Sequence, residues 1–267
     1  MKQIPGVWED VQKIRAEAPL VHNITNYVVM NSSANALLAL GASPVMAHAV
    51  EEVEEMTALA RALVLNIGTL SAPWVEAMLR SGRAARARGI PVVFDPVGAG
   101  ATGYRTQTAR RILQEIGPTI LRGNPSEIRA LARSESKTKG VDSTHSSEEA
   151  VEEARALATE HACVVSVSGV IDVIVSASAT VRVANGHPLM GKVTGLGCAA
   201  TALTGAFAAV NADPLRAAAH AMAVMGVAGE IAEEHTKGPG SFQTFFLDAL
   251  ALMTELDLNR RLRMEAA

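Results

Sequence analysis

The segment Val193-Thr194-Gly195-Leu196-Gly197-Cys198-Ala199-Ala200 sets a glycine pair directly before a helical run. Free backbone N–H groups at such a turn, reinforced by the helix dipole, favour negative charge developing on a phosphoryl group. Tight packing is the other common use of glycine in a turn. Cys198 adds a thiol at the helix N-terminus, where a thiolate is stabilised and can accept a proton or attack an electrophile. A modest fall from the ordinary thiol value of about 8.5 would let it act near neutrality. Cys163, inside a β-branched run, reads instead as a small core residue.

Asp95, in Asp95-Pro96-Val97-Gly98-Ala99-Gly100, and Glu127, in Arg122-Gly123-Asn124-Pro125-Ser126-Glu127, stand just after short apolar runs. They form a candidate pair for holding Mg²⁺ through water against nucleotide phosphates. Each also has a plainer use: Asp95 as a turn residue before proline, Glu127 as the capping-box partner of Asn124. Arg122 can clamp a phosphate or cover the rim, and Met46 can fill a core or wall a substrate. The histidines show no H-E-x-x-H spacing, and no G-x-x-x-x-G-K-[ST] occurs, which excludes a P-loop site.

Those residues need a frame. Short β-branched runs alternate with helical patterns, the signature of a mostly parallel sheet flanked by helices. Strands are expected over Ala62 to Ile67, Pro91 to Asp95, Thr119 to Leu121, Cys163 to Ser168, Asp172 to Ser176 and Thr180 to Ala184, the last two as an antiparallel hairpin. Helices are expected over Tyr27 to Leu40, ending at Gly41, and over Ala72 to Arg88, capped by Ser71 and stopped by Gly89. The stretch from Arg133 to Glu149 reads as an exposed polar loop before a helix over Glu148 to Glu160. From Cys198 onward the chain is Ala-rich and mainly helical, divided by Pro214 and Gly238-Pro239-Gly240 into about three helices. In such a sheet ligands bind beyond the carboxyl ends of the strands, where Gly68, Asp95, Arg122 and Ser168 all fall.

Composition narrows the function. The chain has 267 residues, 49% hydrophobic and 19% charged, which suits a globular protein taken here as one domain over residues 1–267. A net charge of -3 with scattered basic residues offers no stripe for nucleic acid. The first twenty residues lack the apolar core of a signal peptide, and no apolar run is long enough to span a membrane, so a cytoplasmic protein is expected. Two cysteines are too few for a disulfide framework.

Taken together, His22-Asn23-Ile24-Thr25-Asn26, Gly41-Ala42-Ser43-Pro44-Val45-Met46, Asn66-Ile67-Gly68-Thr69-Leu70, Asp95 to Ala99, Arg122 to Glu127, Ser168-Gly169 and Lys192 to Cys198 resemble the hydroxyethylthiazole kinases of thiamine biosynthesis. The resemblance runs from about residue 10 to about residue 255. It implies a three-layer ribokinase-like fold and phosphorylation of the hydroxyethyl arm of 4-methyl-5-(2-hydroxyethyl)thiazole by ATP and Mg²⁺. It also implies roles: Met46 and Gly195 against the thiazole with Asn26 and Gly68 near it, Arg122, Asn124 and Ser168 on the ATP side, Asp95 and Glu127 at Mg²⁺. Gly195, Leu196, Gly197 and Cys198 would form the anion hole, with Cys198 catalytic. A homotrimer with the thiazole pocket at a subunit boundary is implied as well. Leu196 departs from the threonine usual in the family, removing a hydroxyl from the anion hole. Two other readings stand beside the kinase: a cysteine-nucleophile acyl transferase or hydrolase, which needs a histidine such as His187 near Cys198, and a binding protein that kept the pocket without turnover.

Overall fold

The structure, a computed structural model, describes residues 6–132 and 147–266. These contain strands β1 (Leu20–Ile24), β2 (Ser43–Val45), β3 (Ala62–Asn66), β4 (Val92–Asp95), β5 (Ile120–Gly123), β6 (Val164–Val167), β7 (Asp172–Val175), β8 (Thr180–Val183) and β9 (Met264–Ala266). They form one sheet in the order β2-β1-β3-β4-β5-β6-β7-β8-β9. The first six strands are parallel, and the last three add antiparallel.

The helices are α1 (Val7–Glu17), α2 (Met30–Leu40), α3 (Val53–Leu59), α4 (Ala72–Arg88), α5 (Gly103–Ile116), α6 (Pro125–Ala132), α7 (Val151–Glu160), α8 (Leu196–Val210), α9 (Pro214–His235), α10 (Pro239–Leu252) and α11 (Glu255–Arg261). Two apolar layers follow from the period-2 alternation of the strands. Val21, Ala62, Val64, Val93 and Ile120 join the core beneath α1, α2 and α8 to α10. Ile24, Leu63, Leu65, Phe94 and Leu121 join the opposite core, beneath α4 to α7. Small side chains on the first face let α8 ride close to the sheet: a Cβ at Gly205 would lie 2.6 Å from Val64 Cγ2. A buried polar tie fastens this layer, with Asp10 of α1 accepting from Asn211 Nδ2 and paired with His220 Nδ1 of α9, both at 2.6 Å.

The expected strands and the hairpin are present, and α4 begins as its sequence dictates, with Trp74 N–H on the Ser71 hydroxyl and Gly89 left-handed at its end. Four points differ. β1 escapes a hydrophobicity reading because its centre is His22-Asn23, polar yet fully buried. β2 is a three-residue edge strand containing Pro44, tolerable only at an edge. α2 begins at Met30, because residues 27–29 form a turn after β1. The C-terminal third holds four helices and a strand, β9, which pairs with β8. The polar loop expected from Arg133 lies, over residues 133–146, outside the described residues.

Candidate active site

β1 has β2 on one side and β3 on the other, so the winding of the chain reverses there and a crevice opens beyond the strand ends. Asn26, just past β1, and Gly68, just past β3, flank it. Their approach leaves no room for a side chain, since a Cβ at Gly68 would stand 2.5 Å from Asn26 Nδ2. Asn66, the last residue of β3, ties the crevice together. Its Oδ1 accepts from Asn26 Nδ2 and from Gly68 N–H, each at 2.9 Å, and its Nδ2 donates to Asp95 Oδ2 at 3.0 Å.

Cys198 comes to the same place from α8. Asn26 Nδ2 lies 3.5 Å from its Sγ. Gly195 caps the helix at φ +87°, a left-handed conformation, with Val29 of the turn before α2 packed so close that a Cβ would meet it at 2.8 Å. No side chain caps α8, so the first N–H groups of the helix, at Leu196, Gly197 and Cys198, are left for an anion. The Leu196 side chain is buried in the core, so only its backbone serves this turn.

The thiol does not follow the expectation of a depressed pKa. Burial pushes it up, the neighbouring Asp95 carboxylate pushes it further, and hydrogen bonds from Asn66 and Asn26 only partly offset this. Helix-dipole stabilisation is outweighed by desolvation and by a like charge. Cys163 is the inert core residue expected, its thiol pushed up to about 12 by burial.

Asp95 closes β4 almost without exposure and accepts from Thr201 Oγ1 at 2.7 Å, one turn along α8 from Gly197. Its carboxyl is pushed up to about 7, chiefly by burial, with Arg122 opposing and Glu127 adding to the rise. Glu127 is the capping-box residue of α6: its Oε2 accepts from Asn124 N–H at 2.8 Å while Asn124 Oδ1 accepts its own N–H at 2.9 Å. Its Oε1 accepts from Gly98 N–H at 2.9 Å, which fixes the loop after β4. Asn124 thus spends its side chain as a helix cap.

Asp95 and Glu127 suit a magnesium ion. Two mutually repelling carboxylates at adjacent strand ends carry negative charge that a cation would offset. Mg²⁺ bound with nucleotide phosphates needs only one or two carboxylates. No cluster of three or more ligating His, Cys, Asp or Glu occurs among the described residues.

Arg122, from β5, reaches between the two halves of the site. Its Nη2 donates to Ser168 Oγ at 2.5 Å, its Nη1 stands 4.0 Å from Asp95 Oδ2, and a Cβ at Gly197 would be 3.2 Å from Nη1. Beyond it opens a groove of about 470 Å³, whose lining includes Arg122, Ser168, Leu196, Gly197, His187 and Met222. The sequence reading missed the wall formed by Asn185 to Gly191 and by α9, and it also missed Asn66 and Thr201 as site residues. Asn66 and Thr201 carry a signal only in retrospect, as polar residues at a strand end and one turn into a helix whose neighbours are apolar.

Met46 sits apart from this network, just beyond edge strand β2 and half-buried. His187 is no partner for Cys198. It caps the 3-10 turn Pro188–Lys192, accepting Leu189 N–H at 3.3 Å, and its Nε2 stands 4.0 Å from Glu233. No described helix is long and apolar enough to cross a membrane.

Known proteins resemble this chain in sequence and in fold. The chain is 59% identical to hydroxyethylthiazole kinase of Syntrophus aciditrophicus (strain SB), an alignment covering 98% of this chain and 97% of that protein. It is 57% identical to that of Oleidesulfovibrio alaskensis, with 97% of each covered. The structure of hydroxyethylthiazole kinase protein from Pyrococcus horikoshii OT3 superposes with a TM-score of 0.91 at 45% identity over 98% of each chain. Pyridoxal kinase of Staphylococcus aureus in complex with AMP-PCP and pyridoxal matches at TM-score 0.65 and 14% identity over 93% of this chain and 98% of that one, a likeness of fold alone. The fold is therefore the ribokinase-like one that the motifs implied. Residues 11–255 match the model of the hydroxyethylthiazole kinase family, and with the relatives above this establishes that the chain belongs to that family.

Proposed function

We propose that the protein transfers the γ-phosphoryl group of ATP to the primary hydroxyl of 4-methyl-5-(2-hydroxyethyl)thiazole, giving the thiazole phosphate used for thiamine. The observation that carries this reading is the linked set Cys198, Asn26, Asn66, Asp95 and Thr201 at the open N-terminus of α8. The alcohol lies on the side of Asn26, Gly68, Gly195 and Met46, and the nucleotide lies in the groove beside Arg122 and Ser168.

Phosphoryl transfer asks for positioning and charge stabilisation rather than covalent chemistry. The N–H groups of Leu196, Gly197 and Cys198 face the phosphoryl group in flight, and Arg122 supplies positive charge from the nucleotide side. Mg²⁺ held by Asp95 and Glu127 would neutralise phosphate charge. The thiolate form of Cys198, a minor species because burial and Asp95 raise its pKa, accepts the proton of the substrate hydroxyl as the new O–P bond forms and the bond from the γ-phosphorus to the departing ADP oxygen breaks. Asn26 fixes the thiol and Asn66 fixes Asn26. The whole chain acts as one catalytic unit, in the cytoplasm, as a homotrimer whose thiazole pocket is completed at a subunit boundary.

The test is ADP release, measured with and without a divalent cation, on a panel of hydroxyethylthiazole, hydroxymethylpyrimidine and pyridoxal. A cation-dependent signal selective for the thiazole is expected. Equal rates on all three alcohols, or none on the thiazole, would overturn the assignment.

A further inference from the structure

Three aromatic residues that the reaction does not use directly meet at the acceptor end of the sheet. Trp74, in the first turn of α4, is 5% exposed. His48 lies flat on its ring, with centroids 4.3 Å apart and planes 6° apart. Tyr27 meets the same ring edge-on at 4.6 Å and 77°. Both geometries are favourable for ring pairs.

Each ring belongs to a different segment of the crevice. Tyr27 directly follows Asn26, which holds Cys198. His48 follows Met46 by two positions, and its Nδ1 stands 3.3 Å from the Met46 carbonyl oxygen. Trp74 opens the helix that follows Gly68. One indole therefore gathers the segments leaving β1, β2 and β3. The Met46 segment is pinned from its other side by His22, a fully buried ring whose Nε2 lies 2.8 Å from the Ala47 carbonyl oxygen and whose Nδ1 lies 3.0 Å from Thr57 Oγ1. Burial pushes the pKa of His22 down, and Nε2, facing a carbonyl oxygen, is the donor to Ala47.

We infer that the Tyr27–Trp74–His48 stack positions the acceptor alcohol, by holding the segments that carry Asn26, Met46 and Gly68 in one mutual geometry. The inference rests on the reading of those three residues as the acceptor side. Arg122 and Ser168 lie on β5 and just past β6, separated from the stack by β4, so the nucleotide side is independent of it. Among the described residues Trp74 Nε1 is buried without an acceptor, so the indole ring rather than its N–H makes the attachment. A phenylalanine keeps the ring and removes the unsatisfied donor.

The experiment compares Trp74→Ala, Trp74→Phe and His48→Ala with the wild type in steady-state kinetics. Trp74→Ala should raise KM for the alcohol about tenfold, the scale of losing two ring contacts, while KM for ATP stays within about twofold. Trp74→Phe should restore the wild-type KM, and His48→Ala should show a smaller rise in the same constant. A second readout does not depend on turnover. The chain has 2 tryptophans, and Trp8 lies on α1 against Arg15, so Trp8→Phe isolates the fluorescence of Trp74. That signal should respond to hydroxyethylthiazole and not to a non-hydrolysable ATP analogue. An unchanged KM for the alcohol in both alanine variants, an equal rise in both KM values, or a Trp74 signal indifferent to the alcohol overturns the inference. If Trp74→Ala does not fold, His48→Ala and the fluorescence decide. A wild type inactive on the thiazole alcohol overturns the functional reading instead, before any variant is compared.

Discussion

Thr201 donates its hydroxyl to Asp95 Oδ2 at 2.7 Å, joining the second turn of α8 to the end of β4 inside the core. The bond favours the ionised carboxylate against the burial that pushes Asp95 up to about 7. Thr201→Val removes the donor at nearly constant shape. Turnover should fall about tenfold near neutrality, and the acid limb of the kcat/KM profile should move to higher pH. Unchanged pH dependence would detach Thr201 from the site.

The same shift sets how stability depends on pH. A carboxyl that binds its proton more tightly folded than unfolded makes the folded state hold more protons between its ordinary value of 3.8 and about 7. Stability on this account falls as pH rises through that window. Asp95→Asn should therefore raise Tm at pH 8 and leave it nearly unchanged at pH 4, while abolishing most turnover. Melting curves of the two proteins at both pH values check this, and an equal Tm difference at the two values would contradict it.

Cys198 should behave as a poor nucleophile, because burial and Asp95 both raise its pKa. Alkylation at pH 7 should be slow and should quicken in Asp95→Asn, which removes the repelling charge. Cys198→Ala should slow phosphoryl transfer by about 10² to 10⁴ without abolishing it, the usual worth of a positioned proton acceptor. A covalent adduct at Cys198 during turnover, seen by intact mass, would refute this role.

Arg122→Ala should raise KM for ATP far more than KM for the alcohol, since the guanidinium bonds Ser168 at the groove. It should also move the acid limb upward, because Arg122 is the main influence holding Asp95 down. Equal effects on both substrates would place Arg122 elsewhere.

His220 and Asp10 are both buried and paired at 2.6 Å, far from Cys198 in the helical layer. His220→Ala leaves a buried carboxylate with one donor fewer and should cost about 2–5 kcal/mol of stability while kcat is kept. Chemical denaturation combined with a low-temperature assay separates the two quantities.

Much of this was legible before the fold was known. Ser71 and Gly89 fixed the ends of α4 by local chemistry alone, and the strand ends at Asp95, Arg122 and Ser168 pointed to one crevice. His22 and Asn23 hid β1, because their burial depends on partners far along the chain: Thr57 and Ala47 for His22. Asn66 and Thr201 were equally opaque. A polar residue in a strand or helix does not say which neighbour it will meet, and their role appears only when α8 is laid across β3 and β4. The thiol of Cys198 misled for the same reason. Its helix position was readable, but the desolvation and the Asp95 charge that govern it come from tertiary packing.

The near-sequential strand order has a consequence for how the molecule is built. From β3 to β8 each strand is laid beside its predecessor, so pairing and the α4 to α7 layer involve short loop closures and can form early. The opposite face waits for α8 to α10, which are made later and must return across strands already in place. Cys198 and Thr201 arrive with that returning layer, so the crevice beyond β1 and β3 is the last region to acquire its final form. Pulse-labelled hydrogen exchange during refolding should protect β3 to β5 before α8, with activity recovering only in step with the second event.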